Sequence, residues 1–248
     1  MNTKQQHYAQ KAAMYDLLAQ YYKYRDPSLH IAYYQKHFKY ATKLSYSLSN
    51  MRSNRQGTRF RILHASPGAP SVDVYLNGRK TIPNLIFKQE TDYIELREGG
   101  RYRIDLYKAG ETARPLISAE KEIKKDMQYT IIAAGEPTNL SLLAIKDEHT
   151  VPKGEAKLRF IHLSPNAPSI DVAAVRGDVI FPNVSFKEVT NYLALTPMEV
   201  NIELRRSGSK EVLLKIPPLR LRPDRAYTVY GVGLVNENPP LEALVTQD

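Results

Sequence analysis

Polar and apolar residues alternate along much of the chain beyond residue 58. Arg59-Phe60-Arg61-Ile62-Leu63-His64, Ser71-Val72-Asp73-Val74-Tyr75-Leu76 and Arg101-Tyr102-Arg103-Ile104-Asp105-Leu106-Tyr107 all follow a period of two. That is the pattern of a strand with one face on a core and the other in water. Asn77-Gly78, Gly99-Gly100, Ala109-Gly110 and Gly135-Glu136-Pro137 separate these runs as turns. Short strands at this spacing, about seven or eight per ~90 residues, predict a β-sandwich, because an apolar strand face needs a second sheet to cover it.

Before residue 55 the period changes. Tyr8, Ala12, Tyr15, Ala19 and Tyr22 form a helical stripe that Asp26-Pro27 interrupts. Pro27 with Ser28 suits the start of a second helix. There Ile31, Tyr34, Phe38, Ala41, Leu44 and Leu48 recur at steps of three and four, predicting one apolar face. The reading is a helical hairpin over 6–24 and 28–50, then a polar connector from Arg52 to Gly57.

The β region repeats itself. Arg61 to Val74 recurs as Arg159 to Val172, with nine of fourteen positions identical at a spacing of 98. Pro83-Asn84-Leu85-Ile86-Phe87-Lys88 returns as Pro182-Asn183-Val184-Ser185-Phe186-Lys187, and Thr91-Asp92-Tyr93 as Thr190-Asn191-Tyr192. Ile104-Asp105-Leu106 aligns with Ile202-Glu203-Leu204, and Asp126 to Ile131 with Asp224 to Val229. Blocks in one order at nearly constant spacing indicate a duplicated unit. The expected fold is therefore mainly β: two tandem Ig-like β-sandwich domains preceded by an α-helical hairpin. Residues 1–55 form the basic, tyrosine-rich segment, 56–148 the first sandwich, 149–155 a linker and 156–248 the second. So short a linker limits how far the sandwiches can separate.

Charge sharpens this division. Residues 1–55 hold nine Lys or Arg against Asp16 and Asp26, whereas the remainder holds 26 basic and 24 acidic residues. Attraction to an anionic partner therefore belongs to the first 55 residues, which also hold nine of the seventeen tyrosines. The absence of cysteine excludes disulfides, thiolate metal sites and cysteine nucleophiles. No apolar run is long enough to span a bilayer, and Met1 to His7 lacks the apolar stretch of a secretory signal. Synthesis and retention in the cytoplasm is the expectation.

The densest motif is His-x-Ser-Pro-x-Ala-Pro-Ser-[Val/Ile]-Asp-Val. It is carried by His64, Ser66, Pro67, Ala69, Pro70, Asp73 and Val74, and again by His162, Ser164, Pro165, Ala167, Pro168, Asp171 and Val172. It resembles the opening motif of the bacterial family called domain of unknown function 4397, in which a strand ending in His-x-Ser-Pro leads through a proline turn into a Val-Asp-Val strand. The resemblance spans both repeats. It implies a tandem domain, often on exported proteins, with no established activity. This chain departs from that pattern in lacking a signal peptide and in carrying the basic helical leader. Such a leader on a signal-less chain also resembles coat proteins that sporulating bacteria make inside the mother cell.

The residues themselves admit a structural and a functional account. The two prolines force an extended or turning path. Ser66 and Asp73 can bond free backbone groups, and a strand-end histidine can tie down the turn. Alternatively His64, Ser66 and Asp73, with His162, Ser164 and Asp171, are candidate ligand-binding residues for a glycan or peptide. A nucleophilic triad is disfavoured because His and Ser lie two apart on one strand without facing each other. No nucleophile elbow accompanies them, and a metal site would need more ligands than one His and one Asp. No phosphate loop or dinucleotide fingerprint occurs. His30 and His37, two helical turns apart, are expected on a solvated helix face. No cofactor is expected.

The function expected is a non-enzymatic structural or protein-interaction protein, at the cell envelope or in the spore coat. Its partners would be a protein or a second copy, met through the N-terminal helices, or an anionic surface. The alternative is ligand binding at the proline turns. Weak nucleic-acid binding by residues 1–55 ranks third, because no dense Lys/Arg run is present.

Overall fold

The computed structural model describes residues 3–53 and 57–248, with side chains at 4, 6–44 and 57–248. The side chains of Leu48, Arg52 and Ser53, and residues 54–56 of the connector, lie outside what is described. Residues 1–57 form one unit and residues 58–248 another.

In the first unit α1 (Thr3–Tyr22) and α2 (Pro27–Ser53) form the expected hairpin, each slightly longer at its outer end. Asp26 caps α2: its carboxylate accepts the N–H of Ser28 at 2.9 Å and of Leu29 at 3.1 Å, with Pro27 at the first helical position. The α1 stripe packs on α2 as the sequence predicts. Tyr22, Tyr33, Tyr15, Tyr40 and Tyr8 form a ladder alternating between helices, with ring centroids 5.6–6.4 Å apart. Lys36 lies 5.3 Å from the centre of the Tyr33 ring and Lys43 5.7 Å from that of Tyr40.

One expectation for α2 is corrected. His30 and His37 do not sit on a solvated face: their Nδ1 atoms donate to the Ala19 and Ala12 carbonyls of α1 at 2.8 and 3.0 Å. Alanine at 12 and 19, both buried, leaves the room that lets an imidazole reach the opposite backbone. The expected apolar face of α2 is present, and its first three large residues are left uncovered by α1. Ile31, Tyr34 and Phe38 are 56%, 55% and 65% exposed. The seven-residue spacing of tyrosine and histidine, and not the aliphatic row, selects the helix–helix contact.

The second unit contains two sandwiches. In the first, β1 (Thr58–His64), β4 (Ile94–Leu96), β7 (Gln128–Ala134) and β8 (Ser141–Lys146) form a sheet in the order β4-β1-β7-β8. It faces β2 (Val72–Leu76), β3 (Arg79–Leu85), β5 (Gly100–Lys108) and β6 (Ile117–Ile123), ordered β3-β2-β5-β6. Phe60, Ile62, Val74, Leu106 and Ile131 are among the buried residues between them.

The second half has the corresponding arrangement. β9 (Ala156–His162), β12 (Leu193–Leu195), β17 (Arg225–Val232) and β18 (Glu242–Gln247) form β12-β9-β17-β18. β10 (Ile170–Ala174), β11 (Val179–Val184), β14 (Ile202–Arg206) and β15 (Val212–Lys215) form β11-β10-β14-β15, around Phe160, Val172, Leu204 and Val229. β1 pairs in parallel with β7, and β9 with β17, while the remaining pairs are antiparallel. The short strands β13 (Glu199–Val200) and β16 (Leu219–Arg220) pair separately. Pro217-Pro218, which cannot donate to a ladder, separates β15 from β16.

β1 was expected to be half-buried, but it is covered on both faces. Phe60 and Ile62 fill the first core, while Leu63 joins Ala65, Ile132, Ala134, Ile161, Leu163, Tyr230 and Val232 in a third apolar cluster between the two sandwiches. Burial on two faces also explains the unbroken apolar run Ile131-Ile132-Ala133-Ala134.

Replacing both His30 and His37 by alanine should remove two interhelical hydrogen bonds at about 1 kcal/mol each. The expected readout is faster amide exchange along α1 with unchanged exchange in the β unit.

Candidate functional site

The motif residues form a tied corner in each sandwich. β1 ends at His64, whose Nε2 donates to the Pro70 carbonyl at 3.1 Å while Nδ1 accepts the Ser66 N–H at 3.4 Å. Burial lowers the His64 pKa, against the opposing effect of its bond to Pro70, so the ring is neutral near pH 7. The Ser66 hydroxyl donates to the Gly135 carbonyl at 2.5 Å and makes no pair with histidine. Asp73 ties three segments together: it accepts the N–H of Asn84 at 2.8 Å and of Gly110 at 3.1 Å, and binds the Lys80 ammonium at 2.5 Å. The Lys80 bond, then those backbone donors, hold the Asp73 pKa down at about 2. Asn84 adopts φ of 47°, a left-handed conformation that asparagine tolerates.

The second corner repeats the histidine and aspartate–backbone contacts, whereas the Ser164 hydroxyl donates to Asn166 Oδ1 at 3.5 Å and Val179 stands at the register position of Lys80. His162 Nε2 donates to Pro168 at 3.1 Å and its Nδ1 accepts the Ser164 N–H at 3.3 Å. Asp171 accepts the N–H of Asn183 at 2.7 Å and of Gly208 at 2.9 Å. All six candidate residues are buried, and their polar groups bond to nearby backbone or side chains. Each corner thus brings its histidine and serine together through a backbone bond, while its aspartate serves a separate junction.

Around the second corner the surface differs. The loop between β17 and β18 covers residues 233–241, three more than 135–140 in the first sandwich. Asn166, where the first motif has Gly68, accepts the Val235 N–H at 2.8 Å and donates to Glu237 at 3.1 Å. Beside it lies a cleft of about 420 Å³ lined by Val212, Leu213, Val235, Asn236 and Glu237, among others. Gly233 has φ of +90°, and a Cβ there would stand 2.1 Å from the Pro240 carbonyl oxygen, so glycine is required.

A second cluster, between the sandwiches, is not among the candidates from the sequence. Arg61 donates through Nε to Thr130 at 2.9 Å and through Nη2 to Asp248 at 2.6 Å. Arg159 donates through Nε to Thr228 at 2.8 Å and through Nη2 to Asp147 at 2.8 Å. Each guanidinium therefore takes a hydroxyl from its own sandwich and a carboxylate from the other. Thr130 and Tyr93 donate to Asp147 at 2.8 and 2.7 Å, and Thr228 and Tyr192 to Asp248. The arginine side chains are 5% and 3% exposed and both aspartates are fully covered. Tyr93 and Tyr192 stack on the guanidiniums, with the Arg61 and Arg159 carbons 4.9 and 4.6 Å from the ring centres. Burial first, then the adjacent Asp147 or Asp248, push both phenol pKa values up, so the hydroxyls stay protonated donors.

One group breaks the reciprocity. Glu90 lies 3.0 Å from Arg61 and accepts the Tyr230 hydroxyl at 3.4 Å. By strand register, Val189 corresponds to Glu90 and Ile132 to Tyr230. Burial pushes the Glu90 pKa up to about 7, opposed by Arg61 and assisted by Asp147 and Asp248.

The sequence did carry a signal for this cluster. Arg61 and Arg159, Thr130 and Thr228, and Tyr93 and Tyr192 all occupy matching positions in the repeated blocks. The structure supplies the missing condition, a covered outer face on β1 and β9. Among the described residues no group of three or more His, Asp or Glu is placed to hold a metal ion. No described helix is long and apolar enough to cross a membrane.

These features define a mainly β protein of sandwich-like domains with a helical hairpin at its N-terminal end. Residues 58–173, just under half of the chain and including both motif copies, match the family described as Domain of unknown function (DUF4397). The family resemblance thus stands. No curated protein matches the chain. Among solved structures it is similar to the C-terminal domain of AlgF from P. aeruginosa, at 20% identity over 39% of this chain and 100% of that one, TM-score 0.31. It is also similar to the Bacillus anthracis TIE protein, at 9% identity over 76% of this chain and 34% of that one, TM-score 0.24. A Bacteroides ovatus protein described in terms of cell adhesion aligns at 11% identity over 78% and 97%, TM-score 0.21. Scores this low carry no functional argument.

Two outcomes test the buried cluster. Arg159→Leu should cost about 3–5 kcal/mol in denaturant unfolding, because it leaves the buried Asp147 only the more distant Arg61, 3.9 Å away, as a cation. The conservative Arg159→Lys should recover only part of this, since an ammonium cannot reproduce the fork geometry. For Glu90 the folded pKa lies above the ordinary carboxylate value, so the native state binds more protons than the unfolded one between about pH 4.5 and 7. Its contribution is present at acid pH and lost as pH rises to about 7. Relative to Glu90→Gln, the unaltered protein should gain about 1–2 kcal/mol between pH 7.5 and 5.5. Parallel stability curves for the two would contradict this assignment.

Proposed function

We propose that the chain is a non-enzymatic protein-interaction protein that meets its partner through the N-terminal hairpin. The observation that carries this reading is the exposed row Ile31, Tyr34 and Phe38 on a segment of strongly positive charge. Soluble surfaces seldom leave large apolar side chains in register on one helix face without a use for them. Against its nine basic residues the segment sets only two acidic ones, each already engaged as an acceptor within the hairpin. Asp26 caps α2, and Asp16 accepts the Gln20 amide at 2.8 Å.

The polar residues of the motif and of the Arg–Asp cluster support the same reading from another side. A nucleophile needs a base within reach, yet the Ser66 hydroxyl bonds a backbone carbonyl and both histidine nitrogens are engaged. They are structural ties in this reading. A role in the spore coat or at the inner face of the envelope is compatible with this reading.

A second reading, ligand binding beside the proline turns, draws on the cleft next to Asn166 in the second sandwich. There the buried His162, Ser164 and Asp171 would set the loop's position and would not touch the ligand.

The test is site-specific photocrosslinking in the host cell, with a photoreactive residue at position 38 of the full-length protein. A discrete protein adduct that disappears when Ile31 and Tyr34 are replaced by serine is expected. An adduct pattern unchanged by those replacements would remove the hairpin from the interaction.

A further inference from the structure

The partner's chemistry can be taken further, resting on the interaction reading above. Ile31, Tyr34 and Phe38 are spaced i, i+3 and i+7, so they form one row about 10 Å long on one helix face. Tyr34 and Phe38, with Gln35 and Lys39, line a shallow depression of about 460 Å³. Tyr34 is steadied by its neighbours, with ring centres 6.1 Å from those of both His30 and His37. Those histidines are in turn anchored to the α1 backbone. The row is thus presented by a fixed pair of helices.

The charges have a definite placement. Lys39 borders the depression, whereas Lys36 lies roughly 160° around α2 from the row by helical geometry. There Lys36 is drawn over Tyr15 and Tyr33, and Lys43 over Tyr8 and Tyr40. A membrane-surface helix needs its cations flanking the apolar face on both sides and bulky aliphatic residues along it. This row is narrow, aromatic and flanked by Lys39 on one side. A second copy would bring together two hairpins of the same positive sign, which opposes association. An acidic partner is favoured by the same field.

We propose that the Ile31–Tyr34–Phe38 row is a docking site for an acidic amphipathic helix of a partner protein. Its apolar anchors, at the same i, i+3, i+7 spacing, sit over Tyr34 and Phe38, and its carboxylates meet Lys39. This is the helix-in-groove mode, with electrostatics setting the encounter rate and apolar anchors setting residence.

The experiment uses the full chain and a fluorescein-labelled 18-residue peptide carrying leucines at i, i+3 and i+7 on a glutamate-rich helix, read by anisotropy. A control peptide has the same composition with the leucine register scrambled. Binding in the range of about 10–100 μM is expected, at least about tenfold weaker for the scrambled peptide and for Tyr34→Ser/Phe38→Ser. Lys39→Glu, a surface change that leaves the apolar row intact, should weaken it about threefold or more. Circular dichroism on each variant should show unchanged helix content. Equal binding of the two peptides, or undiminished binding by the double variant, overturns the proposal. So does row-dependent sedimentation with phosphatidylglycerol vesicles without peptide binding, or a dimer in ultracentrifugation that the double variant abolishes. A crosslinked protein adduct at position 38 in cells, with no peptide binding, would leave the interaction reading standing and remove the acidic helix.

Discussion

Arg61 and Arg159 set the terms on which the β unit holds together. A guanidinium out of water is tolerated only where carboxylate and hydrogen-bond partners replace the lost hydration. Each arginine finds its own threonine within its own sandwich but its closest aspartate, 2.6 or 2.8 Å away, in the other. The charged groups and the apolar layer beside them therefore require the same arrangement. Leu63, Ile132, Ile161 and Tyr230 can be dry only if the sandwiches are together, and only then does each arginine reach the aspartate of the other sandwich. The proline corners lie next to this layer and fix where β1 and β9 end, which keeps the arginines in register.

Much of this was legible in the sequence, and the exceptions share a cause. Period-two runs and glycine turns located the strands, and the Asp26-Pro27 break located the hairpin. The motif was legible as a corner because prolines, a strand-end histidine and a buried aspartate each have a local structural use. Arg61 looked like a solvent-facing strand residue because alternation cannot tell water from a second protein layer. Asp147 and Asp248 were harder still. The three extra residues in the β17–β18 loop move them to a spacing of 101, outside the aligned blocks. In the hairpin, the aliphatic and aromatic row of α2 was legible as one apolar face, but which face meets α1 was not. The contact is made instead by tyrosine and histidine, whose apolar rings pack while their polar atoms find the opposite backbone or solvent.

The division of labour along the chain follows from these placements. In the β unit most charged residues with buried side chains are paired, and the motif's polar groups are engaged with neighbouring atoms. In the hairpin the opposite holds: cations lie over tyrosine rings and large apolar side chains stay in water. A domain of near-neutral surface and a compact basic element are suited to different tasks, the first to rigidity and the second to recognition.

The Glu90–Tyr230 pair has a consequence for what each sandwich can recognise. Across the layer, Glu90 of the first half meets Tyr230 of the second, while the matching positions are Val189 and Ile132. Two first halves placed face to face would set Glu90 against Ile132 twice, depriving each carboxylate of its phenol donor. Two second halves would set Tyr230 against Val189 twice, leaving phenol hydroxyls without an acceptor. Only the mixed pairing matches polar with polar and apolar with apolar. The asymmetry acts as an identity mark: it lets a chain built from two similar halves select its own other half over a like half from a neighbouring molecule.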